Sequence, residues 1–146
     1  MTVELKAVLE RQLAALVQMR GLLEREIGAL INDEESGIAY LAVEKPRVLA
    51  EVSEASRALE GVLKGAGLST DAEGLRRCIA RREDSFELDI LCNSIIDQLR
   101  ACADHNRMNS GVLERKRATL ERALRILVAQ DVSPNRYHAT GKLENF

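Results

Sequence analysis

The side chains in this sequence best equipped for chemistry are three cysteines and two histidines. Cys102 and His105 stand three positions apart in a strongly helical stretch, so both could face one way and offer a ligand pair to a metal. A tetrahedral site needs four ligands, and no second pair of that kind completes the set. Cys92 lies about three helical turns earlier, and Cys78 belongs to a different segment. His138 sits in a polar stretch near the C-terminus with no acid or nucleophile beside it. The paired acids Glu34–Glu35 and Glu83–Asp84 fall at helix starts, where the helix dipole favours negative charge. No glycine-rich phosphate loop follows a strand, because no segment reads as a strand. The expectation is a protein that is not an enzyme and uses no metal or cofactor. Its cysteines read as small buried hydrophobes in a reducing compartment.

The elements that must position these residues are helices. Hydrophobic residues make up 46% of the 146, yet aromatics only 3%, with no tryptophan. A core of Leu, Ile, Val and Ala suits helix on helix better than sheet on sheet. Apolar residues recur in steps of three and four at Leu9, Leu13, Leu16, Met19, Leu23, Ile27 and Leu30, which is one face of a helix. Asn32 with Glu35 has the form of a capping box and predicts a second helix starting there. Its stripe is Ile38, Leu41, Val48, Val52, Ala55, Leu59 and Val62. Pro46 falls within it and predicts a kink near residues 42–46 or a later start. The glycine-rich stretch from Gly61 to Gly74 ends this helix. Thr70 with Glu73 predicts a short helix over about residues 71–82, and Asp84 with Glu87 opens the longest signal in the chain.

That signal runs Leu88, Cys92, Ile95, Leu99, Cys102, Asn106, Asn109, Leu113, Lys116, Leu120, Leu124 and Leu127 with heptad-like spacing. A helix from 85 to 130 would span about 69 Å, so it needs other helices, or another chain, laid along it. Asn106 and Asn109 interrupt the apolar stripe. Either they turn to its edge and meet water, or they pair with a facing helix and fix its register. The end of the helix, through Leu120, Ala123, Leu124, Ile126, Leu127 and Val128, is apolar over much of its circumference. It is either buried by two neighbours within the bundle or left for a partner helix.

The fold class expected is all-α, an elongated antiparallel coiled-coil-like bundle of three to four helices over residues 1–130. The polar stretch from 131 to 146, with Tyr137 and Phe146 as lone aromatics, reads as a flexible tail. Net charge is −2 overall but +4 over residues 107–146, so the last quarter is a basic segment on an acidic body. It is either a solvated face or a docking segment for an acidic partner. An overall pI near 5.8 argues against a general nucleic-acid binder. No stretch approaches the ~20 apolar residues of a membrane span, and the opening residues do not form a signal peptide. The expected location is cytoplasmic.

Several of these residues together resemble the FlgN family of flagellar type III export chaperones. They are Leu23, Glu24 and Glu26 in the first helix, then Lys45, Val48, Leu49 and Val52, then Arg57, Leu59, Gly67 and Leu68. Asn106-Arg-Met-Asn109, followed by Val112 and Leu113, is similar to the family's Asn-x-x-Asn-Gly stretch, with Ser110 where Gly is usual and Gly111 next. The leucines at 120, 124 and 127, then Tyr137 and Gly141-Lys142, are similar to its Leu-rich helix and Tyr-x-x-x-Gly tail. The resemblance implies a chaperone that binds the C-terminal helical region of hook-filament junction proteins through Leu120, Leu124, Leu127 and Val128. It further implies delivery of that cargo to the cytosolic domain of the flagellar export gate, with Tyr137 as the docking residue. The rival reading is a structural or adaptor protein that homo-oligomerises through the same stripes and has no client.

Overall fold

The computed structural model describes residues 4–130, without the side chains of 129 and 130. The expected tail, with Tyr137 and His138, lies outside the described residues. Four helices and no strand make up the described chain: α1 (Leu5–Ile31), α2 (Glu35–Gly65), α3 (Ala72–Ala80) and α4 (Ser85–Gln130).

Seven-residue repeats build the packing. In α1 the buried positions come as neighbouring pairs: Val8 with Leu9, Ala15 with Leu16, Leu22 with Leu23, Ala29 with Leu30. Adjacent residues are about 100° apart around a helix, so each pair serves two neighbours. Leu22 and Ala29 pack against Leu41 and Val48 of α2. Leu9 and Leu16 pack against Leu88 and Ile95 of α4. The partner helices answer in the same period, with Leu41, Val48 and Ala55 in α2 and Leu88, Ile95, Cys102 and Asn109 in α4. Such a repeat holds one seam in contact along long, gently supercoiled helices.

Cross-helix pairs set the directions. Arg11 pairs with Glu54 at 3.0 Å and Glu26 with Lys45 at 2.8 Å, so α2 runs antiparallel to α1. Lys6 pairs with Glu87 at 3.1 Å and Lys116 with Asp33 at 2.6 Å, so α4 returns antiparallel to α2 and parallel to α1. Among the described residues α1 is the central helix, and α2 and α4 make no close backbone approach to each other. The short α3 bridges them at one end and contributes Ile79 to the core.

Helix ends depart from the capping expectations by a few residues. Asn32 ends α1, its N–H donating to the Gly28 carbonyl, and α2 begins at Glu35 after Asp33 takes φ +52°. Asp71, not Thr70, caps α3: its carboxylate accepts from the Gly74 N–H at 2.9 Å and from the Ser69 hydroxyl at 2.7 Å. These bonds hold its carboxyl below the usual range. Gly67 closes α2 at φ +72°, with the Leu68 N–H bonding back to the Leu63 carbonyl. That arrangement satisfies the last carbonyls and needs a residue tolerant of the left-handed region.

Pro46 neither starts nor breaks α2, which runs through it as one helix. Its ring removes the bond to the Ala42 carbonyl. Both residues are exposed, so water can reach that carbonyl.

Candidate partner-binding end of the long helix

The core row of α4 grows steadily more polar along its length: Leu88, Ile95, Cys102, Asn109, Lys116. Leu88 is wholly buried in the main apolar cluster. Cys102 is buried too, its thiol 3.7 Å from the Leu16 carbonyl it donates to, and burial pushes that thiol up from its ordinary pKa. A thiol so placed is a core filler rather than a reactive group. His105 turns to the flank of the seam, with Nε2 3.6 Å from Glu24. Cys102 and His105 therefore do not converge on a common point.

Asn109 is only 2% exposed. Its Nδ2 donates to the Leu23 carbonyl at 2.9 Å and to Glu26 Oε1 at 2.8 Å, while Lys45 Nζ donates to Glu26 Oε2 at 2.8 Å. One polar chain thus ties α4 through α1 to α2. Asn106, expected on the same stripe, is exposed instead. It belongs to the neighbouring row with Leu99 and Leu113, and these two leucines stay exposed as well. The composite stripe read from the sequence is therefore two rows, of which one is buried.

Asn109 Oδ1 is buried without a hydrogen-bond partner, an arrangement that costs stability. Asn109→Leu should therefore stabilise the fold by about 1 kcal/mol. The Leu23 carbonyl keeps its helical bond, and Glu26 keeps Lys45. Urea unfolding of the two proteins checks this; a lower midpoint for the leucine variant would contradict it.

Lys116 is the last residue of the row to meet the bundle. Beyond it, residues 117–130 of α4 project past the α1–α2 turn for about 21 Å. A cleft of about 650 Å³ opens where α1 stops, with Ile31 and Asp33 on one wall and Val112, Arg115, Leu120 and Ala123 on the other. Leu120, Ile126 and Leu127 are 47%, 63% and 62% exposed, and Ile31 is 61% exposed. Leu124 and Val128 are half-buried, although α1 ends at Ile31, level with about Lys116. The end of α4 is thus not sheltered by two neighbours.

The structure brings Leu120, Leu124, Leu127 and Val128 onto this one projecting segment. Asn109 sits a heptad behind the last bundle contact, and Tyr137 lies outside the described residues. Sequence reading missed the link between Glu26, Lys45 and Asn109, and the part played by Ile31 and Asp33 in the cleft. The signal for the link was present. Glu26 follows Leu5, Gln12 and Met19 at seven-residue steps, and Lys45 falls between Ile38 and Val52 in the same way, so both are charged residues set in largely apolar rows.

The long helix outruns the heptad-packed bundle, with Leu120, Ile126 and Leu127 bare towards its tip. The model of the FlgN protein family matches residues 1–145. The chain belongs to the FlgN family. A crystal structure described as that of a flagella synthesis protein, FlgN, from Pseudomonas aeruginosa is similar at a TM-score of 0.69 and 26% identity, covering 75% of this chain and 85% of that one. No curated protein matches the chain. Membership supports a flagellum-related role with protein partners, in a non-enzymatic family. No helix among the described residues is long and apolar enough to cross a membrane.

Proposed function

We propose that this FlgN-family chain is a cytoplasmic flagellar export chaperone. It binds the C-terminal helical region of hook-filament junction proteins along the projecting end of α4, through Leu120, Leu124, Leu127 and Val128. It then presents that cargo to the cytosolic domain of the type III export gate, docking through Tyr137. The observation that carries this reading is the end of α4 beyond Lys116, helical in advance and with Leu120, Ile126 and Leu127 exposed. A preformed helix with a bare apolar face suits a client that folds against it, because only one of the two partners then loses chain entropy on binding.

A second reading has support from the same row. Leu113, Leu120 and Leu127 are seven residues apart and all exposed, which would equally suit a second copy of this helix in a client-free homo-oligomer.

Isothermal titration with C-terminal segments of the host's junction proteins separates the two. Binding with a large negative heat-capacity change supports the chaperone, since buried apolar surface carries that signature. No heat with any segment, together with a stable homo-oligomer by light scattering, favours the scaffold. Tyr137→Ala should leave client affinity unchanged and weaken binding to the gate domain roughly 30-fold. Equal loss of both would remove the proposed division of roles.

A further inference from the structure

Charge is segregated along the chain. Residues 115–130 carry five basic side chains against one acid, a net of +4 in a chain of −2 overall, so the remainder stands at −6. Two of the five are engaged at home, Lys116 with Asp33 at 2.6 Å and Arg117 with Glu121 at 3.1 Å. Arg115, Arg122 and Arg125 are exposed, and among the described residues none of them pairs with a carboxylate. Arg115 and Arg122 share a heptad position and Arg125 lies about 60° from Arg122, so the three form one stripe about 15 Å long. The stripe is about 140–160° around α4 from the row of Leu113, Leu120 and Leu127. Val128 marks its border, about 60° from Arg125. The basic quarter of the sequence is therefore not an evenly solvated face. Its unpaired cations gather on the side of the tip turned away from the exposed leucines.

We infer that the stripe of Arg115, Arg122 and Arg125 is a second docking surface, for a protein surface bearing a row of carboxylates, and that it stays open while a client covers the leucine row. This rests on the reading of the end of α4 as the client site, and adds a partner that the same segment holds at the same time. A guanidinium grips a carboxylate through two parallel hydrogen bonds. Three of them at fixed spacing on one rigid helix select carboxylates at matching spacing. The tip reaches about 21 Å past the bundle, against a Debye length of about 8 Å at physiological salt. An acidic patch docked there escapes most of the repulsion from the acidic remainder of the chain. A nucleic acid or an anionic membrane is a poorer occupant, because each is an extended polyanion that meets the acidic body as well as the tip. On a membrane, moreover, the leucine row would insert and carry the arginines to the far side of the helix.

The test uses the full chain and two fluorescent helical peptides of about three heptads, without an apolar face. One carries Glu along a single stripe and the other carries Lys there. Fluorescence anisotropy should show the Glu peptide binding at least tenfold tighter than the Lys peptide, the difference shrinking as salt rises. Arg115→Glu, Arg122→Glu and Arg125→Glu together should remove that preference. The same change at Arg25, Arg57 and Arg81, all exposed and away from the tip, should leave it intact. A saturating junction-protein segment should leave the affinity for the Glu peptide within about threefold, and the stripe variant should bind that segment as wild type does. Equal binding of the two peptides, binding of neither, or a preference lost equally in both triple variants would overturn the inference. So would tighter binding to phosphatidylserine vesicles or to a DNA oligonucleotide than to the Glu peptide. Displacement of the Glu peptide by the segment would sink the two-surface arrangement and leave the chaperone reading standing. Segments that never bind, beside a selective Glu peptide, would remove the chaperone reading and keep the stripe as a docking surface.

Discussion

Leu124→Asp combined with Leu127→Asp is expected to lower client affinity about 100-fold or more while leaving the bundle's melting temperature within about 2 °C of wild type. Two facts about α4 set these opposite sensitivities. Beyond Lys116 no other helix lies along it among the described residues, and Leu127 is 62% exposed in the free chain. A carboxylate there costs the unbound protein little. In a complex the same side chain would have to be stripped of water against an apolar helix, and burying an unpaired charge is prohibitive. Titration calorimetry gives the affinity and circular dichroism the melting curve. Leu99→Asp, on the exposed row alongside the bundle, should leave binding unchanged. A Leu124, Leu127 double variant that binds like wild type would move the client to the exposed row of Leu99 and Leu113.

The second large effect is at the other end of the same helix. Leu88→Ala should cost about 3 kcal/mol, because the lost methyl groups leave a cavity inside a close-packed cluster. Leu88 is 0% exposed and packs with Leu5, Leu9, Leu16 and Ile79. For a chain of this length the loss corresponds to a melting temperature lower by roughly 10 °C. Cys102→Ala, two heptads on, should cost only about 1 kcal/mol, as it removes one small side chain and a weak sulfur hydrogen bond. Denaturant titration of both variants reads the comparison directly. Equal losses would mean that α4 is held evenly along its length, against the grading from Leu88 to Lys116.

Periodicity made the helices legible, because an apolar stripe at steps of three and four can bury itself in only one way. It also made the long helix legible as one that cannot bury itself without other helices or another chain along it. The turns were less so. Asn32 with Glu35 looks like the start of α2, but the backbone uses Asn32 to finish α1 and puts Asp33 in the left-handed region. A short polar residue can serve either purpose, and tertiary packing of Leu30 and Leu41 decides which. Pro46 was misleading because its penalty depends on whether the freed carbonyl can reach water, and only the fold shows that Ala42 faces outward. The fate of Asn106 depended on which of two adjacent rows of α4 meets α1, which local spacing does not encode. At the candidate site the apolar residues of the tip were visible as a wide face. Its bareness was not, since that depends on how far along α1 the helix α4 is set.

That setting is not dictated by leucine. A heptad repeat lets one helix slide along another by seven residues, about 10 Å, with apolar side chains still meeting apolar side chains. Slid by one repeat towards its tip, α4 would bring Cys102 to the level of Leu23 and leave Glu26 facing a thiol. Only the observed stop places Asn109 against Glu26 and Lys116 against Asp33. The two polar residues work as the detent on a sliding bolt. They contribute little to how tightly the bolt is gripped, and they decide how much of it protrudes.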